Sequence, residues 1–442
     1  MKKQIVIVLA FIIALAITLG AVMIIGLNRS NGDLPETVKP SVNITPTTQD
    51  DNDAETSPPP PYEGKVFRIL CGEESSLDFG DGTVTDSYVS RMAYERNKMI
   101  SFSLGVTISF DYTANVYQTY TDLLRSGIAR YDLLSVNMAS DGSKFLINGG
   151  LDNVRASSLD LTASVFDKAF LDAFTYNGAC GFLLGEANPS RILSANALLV
   201  SKGNTSADSL FSLAKSGDLT FDALIETLLQ TQTTLDVNAG GFHAALSVKG
   251  IFSFSDSGDG NVDVESYSAR YAALLPHIKS GAITEAKQSH SAVFIDSLSA
   301  HENFEYYYVF PMPKYSSQDS YASTVDMSTL FAYAVPSLLS DRGKTYAVID
   351  QIYNCSEGFT EALAKELSLG EADLWIENIS YCLYDVFGWG DFSDHAWKAF
   401  STAQSAEDFS SSLSAPARAA KQALLILAER LGTHYRLGVK PE

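Results

Sequence analysis

KVFRILC, residues 65–71, is a short β-rich run, and the segments that follow it decide the fold. Over residues 86–102 the apolar Tyr88, Met92, Met99 and Phe102 recur at roughly helical spacing, and Gly105 closes the segment. Val106, Ile108 and Phe110 then alternate as in a strand, residues 115–127 read as a helix ending on Gly127, and YDLLSV (131–136) is a nearly all-apolar strand. Strand, helix, strand, helix, strand is the pattern of a parallel sheet covered by helices, so the fold class is α/β. In such sheets ligands bind beyond the carboxyl ends of the strands, where loops and helix amino ends converge. Residues 72–76, after the first strand, and 137–141, after the third, are therefore the segments to watch.

Working outward toward the carboxyl terminus, residues 179–184 and 196–200 are strand-like around the polar loop GEANPS (185–190). Thr220 caps a helix whose inner face is Phe221, Leu224, Ile225, Leu228 and Leu229. Residues 306–310 are β again and stop at Pro311-Met312-Pro313; residues 330–335 form a further apolar strand and 344–353 a helix. The last helix is expected from about Pro416, which suits a first turn, to Leu431 before Gly432. DSGDGNVDVES (256–266) invites a calcium-loop reading. Aligning Gly260 with the glycine such a loop requires puts Ser255 at the first ligand position and Ser266 where a bidentate Glu is needed, so a hairpin turn is preferred.

The 442 residues give room for two or three domains, and a 46% hydrophobic composition suffices for a sizeable core. A net charge of −21 repels phosphate backbones and argues against nucleic-acid binding. Cys71, Cys180, Cys355 and Cys382 contain no CxxC pair; they allow three disulfide pairings, with buried thiols the preferred reading, and structural zinc is not expected. No GxSxG, HExxH, P-loop or GxGxxG motif is present, and the six histidines show no paired ligand spacing. Neither an enzyme, a cofactor nor a metal is expected.

Toward the amino terminus, residues 5–27 form an uncharged, mostly apolar run after Lys2 and Lys3. As a helix it would be about 35 Å long, enough to span a bilayer and longer than the apolar part of a cleavable signal peptide. Residues 1–30 are thus expected to be an uncleaved signal anchor, with the body outside the cytoplasm in a single-pass arrangement at the cell membrane. Residues 31–63 concentrate Pro, Asp, Thr and Ser and read as a disordered tether. The globular part is expected over 64–442.

Several stretches of that globular part, in order, resemble the extracellular solute-binding proteins of ABC importers, in particular the larger carbohydrate-type group of Gram-positive anaerobes. They are GKVFRILCGEESSLDFGDGT (64–83), YDLLSVNM (131–138), LDLTASVFDKAFLDAFTYNGACGFLLGEANPS (159–190), SGDLTFDALIETL (216–228), YYVFPMPKY (307–315) and STVDMSTLFAYAVP (323–336). The resemblance implies a two-lobed, periplasmic-binding-protein-like fold of type II, with the chain crossing between lobes near 186–191 and 310–313 and a hinge closing on the ligand. It also implies a small-molecule solute such as an oligosaccharide, ABC permease subunits as partners, and a monomer that does no chemistry. Two features depart from the family. Its members use a lipid-modified cysteine where this chain has an apolar anchor, and they tend to carry adjacent tryptophans where this chain has Ala163-Ser164-Val165-Phe166. The second departure points to an alternative: a non-transporting interaction or sensory ectodomain that keeps the fold and has lost the sugar site.

The candidate ligand contacts each have a plainer reading. Glu73, Glu74 and Ser75 follow the first strand, and otherwise cap the next segment. Asn137, Met138, Ser140 and Asp141 follow the third, or form an ordinary helix-capping loop. Glu186 and Asn188 sit at the first inferred crossing, or make a plain turn before Pro189. Asp326 and Met327 precede the 330–335 strand. Trp389, in YDVFGWGDF, is a stacking platform or, flanked by Phe387 and Phe392, part of the core. The run 306–308 alternates, so at most one of its faces sees a cleft.

Overall fold

The computed structural model describes residues 60–72, 80–81, 88–176, 178–246, 252–254, 260–285, 292–298, 306–366, 382–383 and 390–436. The opening pattern folds in the expected order, β1 (Lys65–Gly72), α1 (Tyr88–Leu104), β2 (Val106–Thr113), α2 (Val116–Arg125) and β3 (Leu133–Asn137). Two residues whose spacing suggested α1, Met99 and Phe102, are however 58% and 88% exposed, and the buried side of that helix carries Ala93, Arg96, Asn97 and Ile100 instead. Both β2 and β3 run parallel to β1, with Phe67 opposite Ile108 and Ile69 opposite Leu133. Leu133, Leu134, Ser135 and Val136 are all fully buried, as a strand covered on both faces must be. The helix α2 starts where Asn115 accepts a hydrogen bond from the Gln118 amide at 2.8 Å, a cap worth about 1 kcal/mol, and the chain turns away at Gly127 with φ +67°.

A turn at Met138–Gly142 leads to α3 (Ser143–Asn148), α4 (Lys168–Ala173), β4 (Phe182–Leu183), α5 (Ser190–Leu193) and β5 (Asn196–Ser201). Then come α6 (Ala207–Ser216), α7 (Phe221–Gln230), β6 (Leu235–Val237), α8 (Ala239–Leu246), β7 (Phe252–Phe254), β8 (Gly260–Val262), α9 (Val264–Lys279), β9 (Ile283–Glu285), β10 (Val293–Ser297) and β11 (Tyr307–Phe310). The chain continues through β12 (Ser323–Thr324), β13 (Phe331–Ala334), α10 (Arg342–Asn354), α11 (Phe359–Glu366), β14 (Cys382–Leu383), α12 (Gly390–Thr402) and α13 (Ala406–Arg436). Residues 59–442 form one compact unit.

Two five-stranded mixed sheets organise this α/β unit, in the orders β2-β1-β3-β13-β4 and β11-β5-β10-β6-β9. Each has three parallel strands (β2-β1-β3 and β9-β6-β10) flanked by an antiparallel strand, β13 in the first and β5 in the second, and then one more. The chain passes from the first sheet to the second through residues 184–195 and returns through 311–330. The registers fix where these crossings attach. Phe331, at the start of β13, lies opposite Asn137, the last residue of β3, and Asn196, at the start of β5, lies opposite Ser297, the last residue of β10. Both crossings therefore join the sheets at the edges where the parallel strands end.

Four further readings from the sequence change. The 179–184 strand shortens to Phe182–Leu183, because Tyr176 and Ala179 bond to each other across a tight turn. In α7, Phe221, Leu224, Ile225 and Leu228 are buried but Leu229 is 57% exposed, one step off the inner face. The last helix begins ten residues before Pro416: the Ser405 hydroxyl accepts from the Asp408 amide at 3.1 Å, and Phe409 stacks on Tyr271 with centroids 3.8 Å apart. Pro416 sits inside α13 and leaves the Ser412 carbonyl without its helical donor, on a side where Ser412 is exposed to water. Finally, Tyr62 and Gly64 donate their amides to the carbonyls of Leu104 and Gly105, so the described body already holds Tyr62. Phe252 pairs antiparallel with Val262 as a hairpin, and Asp263 caps α9 by accepting from the Ser266 amide at 3.0 Å.

Among the described residues no helix is long and apolar enough to cross a membrane; residues 5–27 lie outside them. Cys71 and Cys180 are buried thiols and Cys355 is half-buried. Burial pushes the Cys180 thiol up to about 11, which keeps it protonated and unreactive at neutral pH.

Candidate functional site

The carboxyl edge of the first sheet gathers most of the candidate residues, because β1, β3 and β4 all end there. Glu73, Glu74 and Ser75 follow β1, but they and Trp389 lie outside the described residues. Asn137, Met138 and Asp141 follow β3, and Glu186 and Asn188 follow β4. Asp326 leads into β13. The structure brings the second and fourth of these groups into direct contact: the Asn137 amide donates to the Ser328 carbonyl at 2.7 Å, and the amides of Met138 and Ala139 donate to the carbonyls of Leu330 and Met327.

Most of these side chains also carry the plainer role. Asn137 Oδ1 accepts from the Ser140 amide at 2.9 Å and so starts the Met138–Gly142 turn. Met138 is 2% exposed and belongs to the core. Asp141 is buried and paired with Lys144 at 3.0 Å. Asn188 is 1% exposed; its oxygen accepts from the Gly185 amide and the Tyr353 hydroxyl, and its nitrogen donates to the Phe331 carbonyl. Asp326 accepts from the amide and hydroxyl of Ser328.

The two crossings lie side by side here. Asp326 donates its amide to the Ser194 carbonyl at 2.7 Å, Thr329 bonds the Ser194 hydroxyl at 2.9 Å, and Asn196 donates to Thr324. Ala195 and Val325 form an isolated antiparallel bridge.

Beside the first crossing a cavity of about 430 Å³ opens, lined by Ser164, Phe166, Asp167, Glu186, Arg191 and Thr360 among others. Arg191 binds Asp167 at 3.1 Å and Glu186 at 3.2 Å and donates to the Thr360 hydroxyl at 2.8 Å. Glu186 in turn accepts from the Thr360 amide at 2.9 Å, which caps the amino end of α11. Gly185 keeps the wall close: a Cβ there would lie 2.0 Å from the Val165 carbonyl oxygen. Ser164, Val165 and Phe166, in the stretch where the sequence lacks tryptophans, border this cavity, and Phe166 packs on Tyr353 with centroids 4.4 Å apart.

The second sheet supplies a polar pair that sequence reasoning missed. Asn238, exposed after β6, donates to Asp296 on β10 at 3.1 Å and caps α8 by accepting from the Gly241 amide at 2.7 Å. The signal was present as DVNAG, a short β run followed by a capping residue, and it marks the carboxyl edge of the second parallel trio. Among the described residues no three His, Cys, Asp or Glu side chains converge to hold a metal ion. No family model matches this chain, and no curated protein matches it.

Proposed function

We propose that residues 60–442 are the solute-binding body of an ABC-type importer: two lobes in the type II arrangement, hinged at 184–195 and 311–330. Residues 5–27 anchor the body to the membrane and residues 31–59 tether it there, outside the cytoplasm. The body captures a carbohydrate between the lobes and passes it unchanged to permease subunits. The observation that carries this reading is the topology: two sheets of matching pattern, joined by two adjacent crossings at the carboxyl edges of both parallel trios. A ligand bound at one edge then meets the other whenever the crossings bend. A thermal-shift screen of the chain against neutral oligosaccharides tests it. A solute at 100 times its dissociation constant adds about 2.7 kcal/mol, and a screen in which no saccharide raises the melting temperature counts against the reading.

A second reading has its own support. Asn137, Asn188 and Glu186 already spend hydrogen bonds on internal partners, and the cavity at 164–166 lacks flat, exposed aromatic faces. A fold kept for interaction or sensing, without a sugar, accounts for both. In that case the screen stays silent for saccharides while the fold remains intact.

A further inference from the structure

Several cations around the first sheet, away from its carboxyl-edge loops, are paired with carboxylates. Lys65 pairs with Asp341, Arg130 with Asp111 at 2.8 Å, Arg342 with Asp152 at 2.7 Å and Lys344 with Asp132 at 2.9 Å. Arg68 stands among these residues, and among the described residues its guanidinium has neither a carboxylate nor a hydrogen-bond acceptor. Its main chain is held on both sides, since the Arg68 amide donates to Asp132 at 3.0 Å and its carbonyl accepts from the Asp132 amide at 2.8 Å. Arg68 lines a notch of about 470 Å³ together with Arg130, Asp132, Ile128 and Ser340.

We propose that this notch is a binding site for a small oxyanion, a phosphate or a carboxylate, held between the guanidinium groups of Arg68 and Arg130. Three features argue for it. The planar fork of arginine matches the paired oxygens of either anion. Arg130 is already oriented, because Asp111 holds it and also accepts from the Tyr131 hydroxyl at 3.1 Å, and Arg130 lies over the Tyr131 ring at 5.3 Å. The anion would also give the Arg68 guanidinium a partner, within a chain whose net charge of −21 would disfavour anions elsewhere on its surface. The Asp111 and Asp132 carboxylates at the same place are both occupied, the second by Lys344 and by the Thr345 hydroxyl at 2.8 Å. The site is separate from the carboxyl edge and does not depend on the solute reading.

The test is calorimetric titration of the full-length chain with inorganic phosphate and, separately, with succinate, at constant ionic strength set by chloride. Saturable binding of one equivalent of either anion is expected, and the anion that binds identifies the source. Arg68→Gln should weaken it by about tenfold or more, since a charge-assisted hydrogen bond is lost. Ile128→Glu, at a side chain 50% exposed, leaves the core untouched and should weaken binding at least as much by placing a carboxylate in the notch. Arg125→Gln, an exposed cation paired with Asp122 elsewhere, should leave affinity within twofold. Absence of saturable binding for both anions overturns the proposal. So does binding that Ile128→Glu leaves unchanged, or that Arg125→Gln weakens as much as Arg68→Gln does.

Discussion

The two ends of the first sheet use polar residues in opposite ways. At the amino end, Asp132 and Lys344 are 3% exposed each and satisfy one another completely: Lys344 also donates to the Val66 carbonyl, and Asp132 also accepts from Thr345 and the Arg68 amide. That cluster clamps β1, the approach to β3 and α10 together. At the carboxyl end, Asn137, Asp326 and Glu186 also make internal hydrogen bonds, but in loops, and Glu186 lines an open cavity. The difference teaches that a filled set of hydrogen bonds does not separate a clamp from a site. Burial does.

If that distinction is right, the largest effect of substitution belongs to the amino end. Asp132→Ala leaves the Lys344 ammonium buried without its carboxylate, which should lower unfolding stability by about 3–5 kcal/mol in urea titrations, while Asp132→Leu with Lys344→Met should recover much of it. Equal loss in the double variant would mean that packing, and not charge, holds this end. Arg191→Met comes next. Its partners Asp167 and Glu186 are 7% and 17% exposed but border the cavity, so water can relieve them, and a loss of about 2 kcal/mol is expected by the same titration. A loss as large as that of Asp132→Ala would place the Arg191 network with the clamp.

Asn137→Ala sharpens the comparison further. It removes the cap of the Met138–Gly142 turn and the tie to Ser328, and should lower stability by about 1 kcal/mol while weakening solute by about 2- to 12-fold. The smallest effect is in acid. Asp341 is held below the ordinary carboxylate value by the Lys344 amide and by Lys65, and Asp263 by the Ser266 hydroxyl and amide. Groups depressed in the folded state contribute stability above their unfolded value, near 3.9, and lose it as pH falls through the folded one. Asp341→Asn and Asp263→Asn should therefore lower the melting temperature slightly at pH 7 and flatten its decline below about pH 4, so that variant and parent converge in acid.

How much of this was legible in the sequence depended on how far apart the partners lie along the chain. The order of strands and helices over residues 65–137 was readable because strand patterns and helix stops are local, but the inner face of α1 was not, since Met99 and Phe102 are exposed while Arg96 and Asn97 are buried. Thr220 was legible as a cap because it bonds three residues ahead, whereas Asn115, read as the first residue of its helix, proves to be the cap before it. Glu186 was legible as a polar residue at a crossing, but not as a cap on α11, because its partner Thr360 is 174 positions away. The start of α13 was misplaced because Pro416 is a strong local signal, whereas the Phe409 to Tyr271 stack that extends the helix is a tertiary contact. The matching pattern of the two sheets was hidden too, since β13 joins the first sheet only after the chain has built the second.

Hydrogen exchange followed by mass spectrometry, with and without a saturating saccharide from the screen, tests the central claim most directly. The account predicts slowed exchange in residues 137–142, 185–195 and 326–330 together, with residues 238–242 of the second sheet joining them, because a solute held between the carboxyl edges touches all four and stiffens the crossings. Protection confined to one sheet, or lying at residues 128–132 and 340–344 at the opposite end, would contradict it.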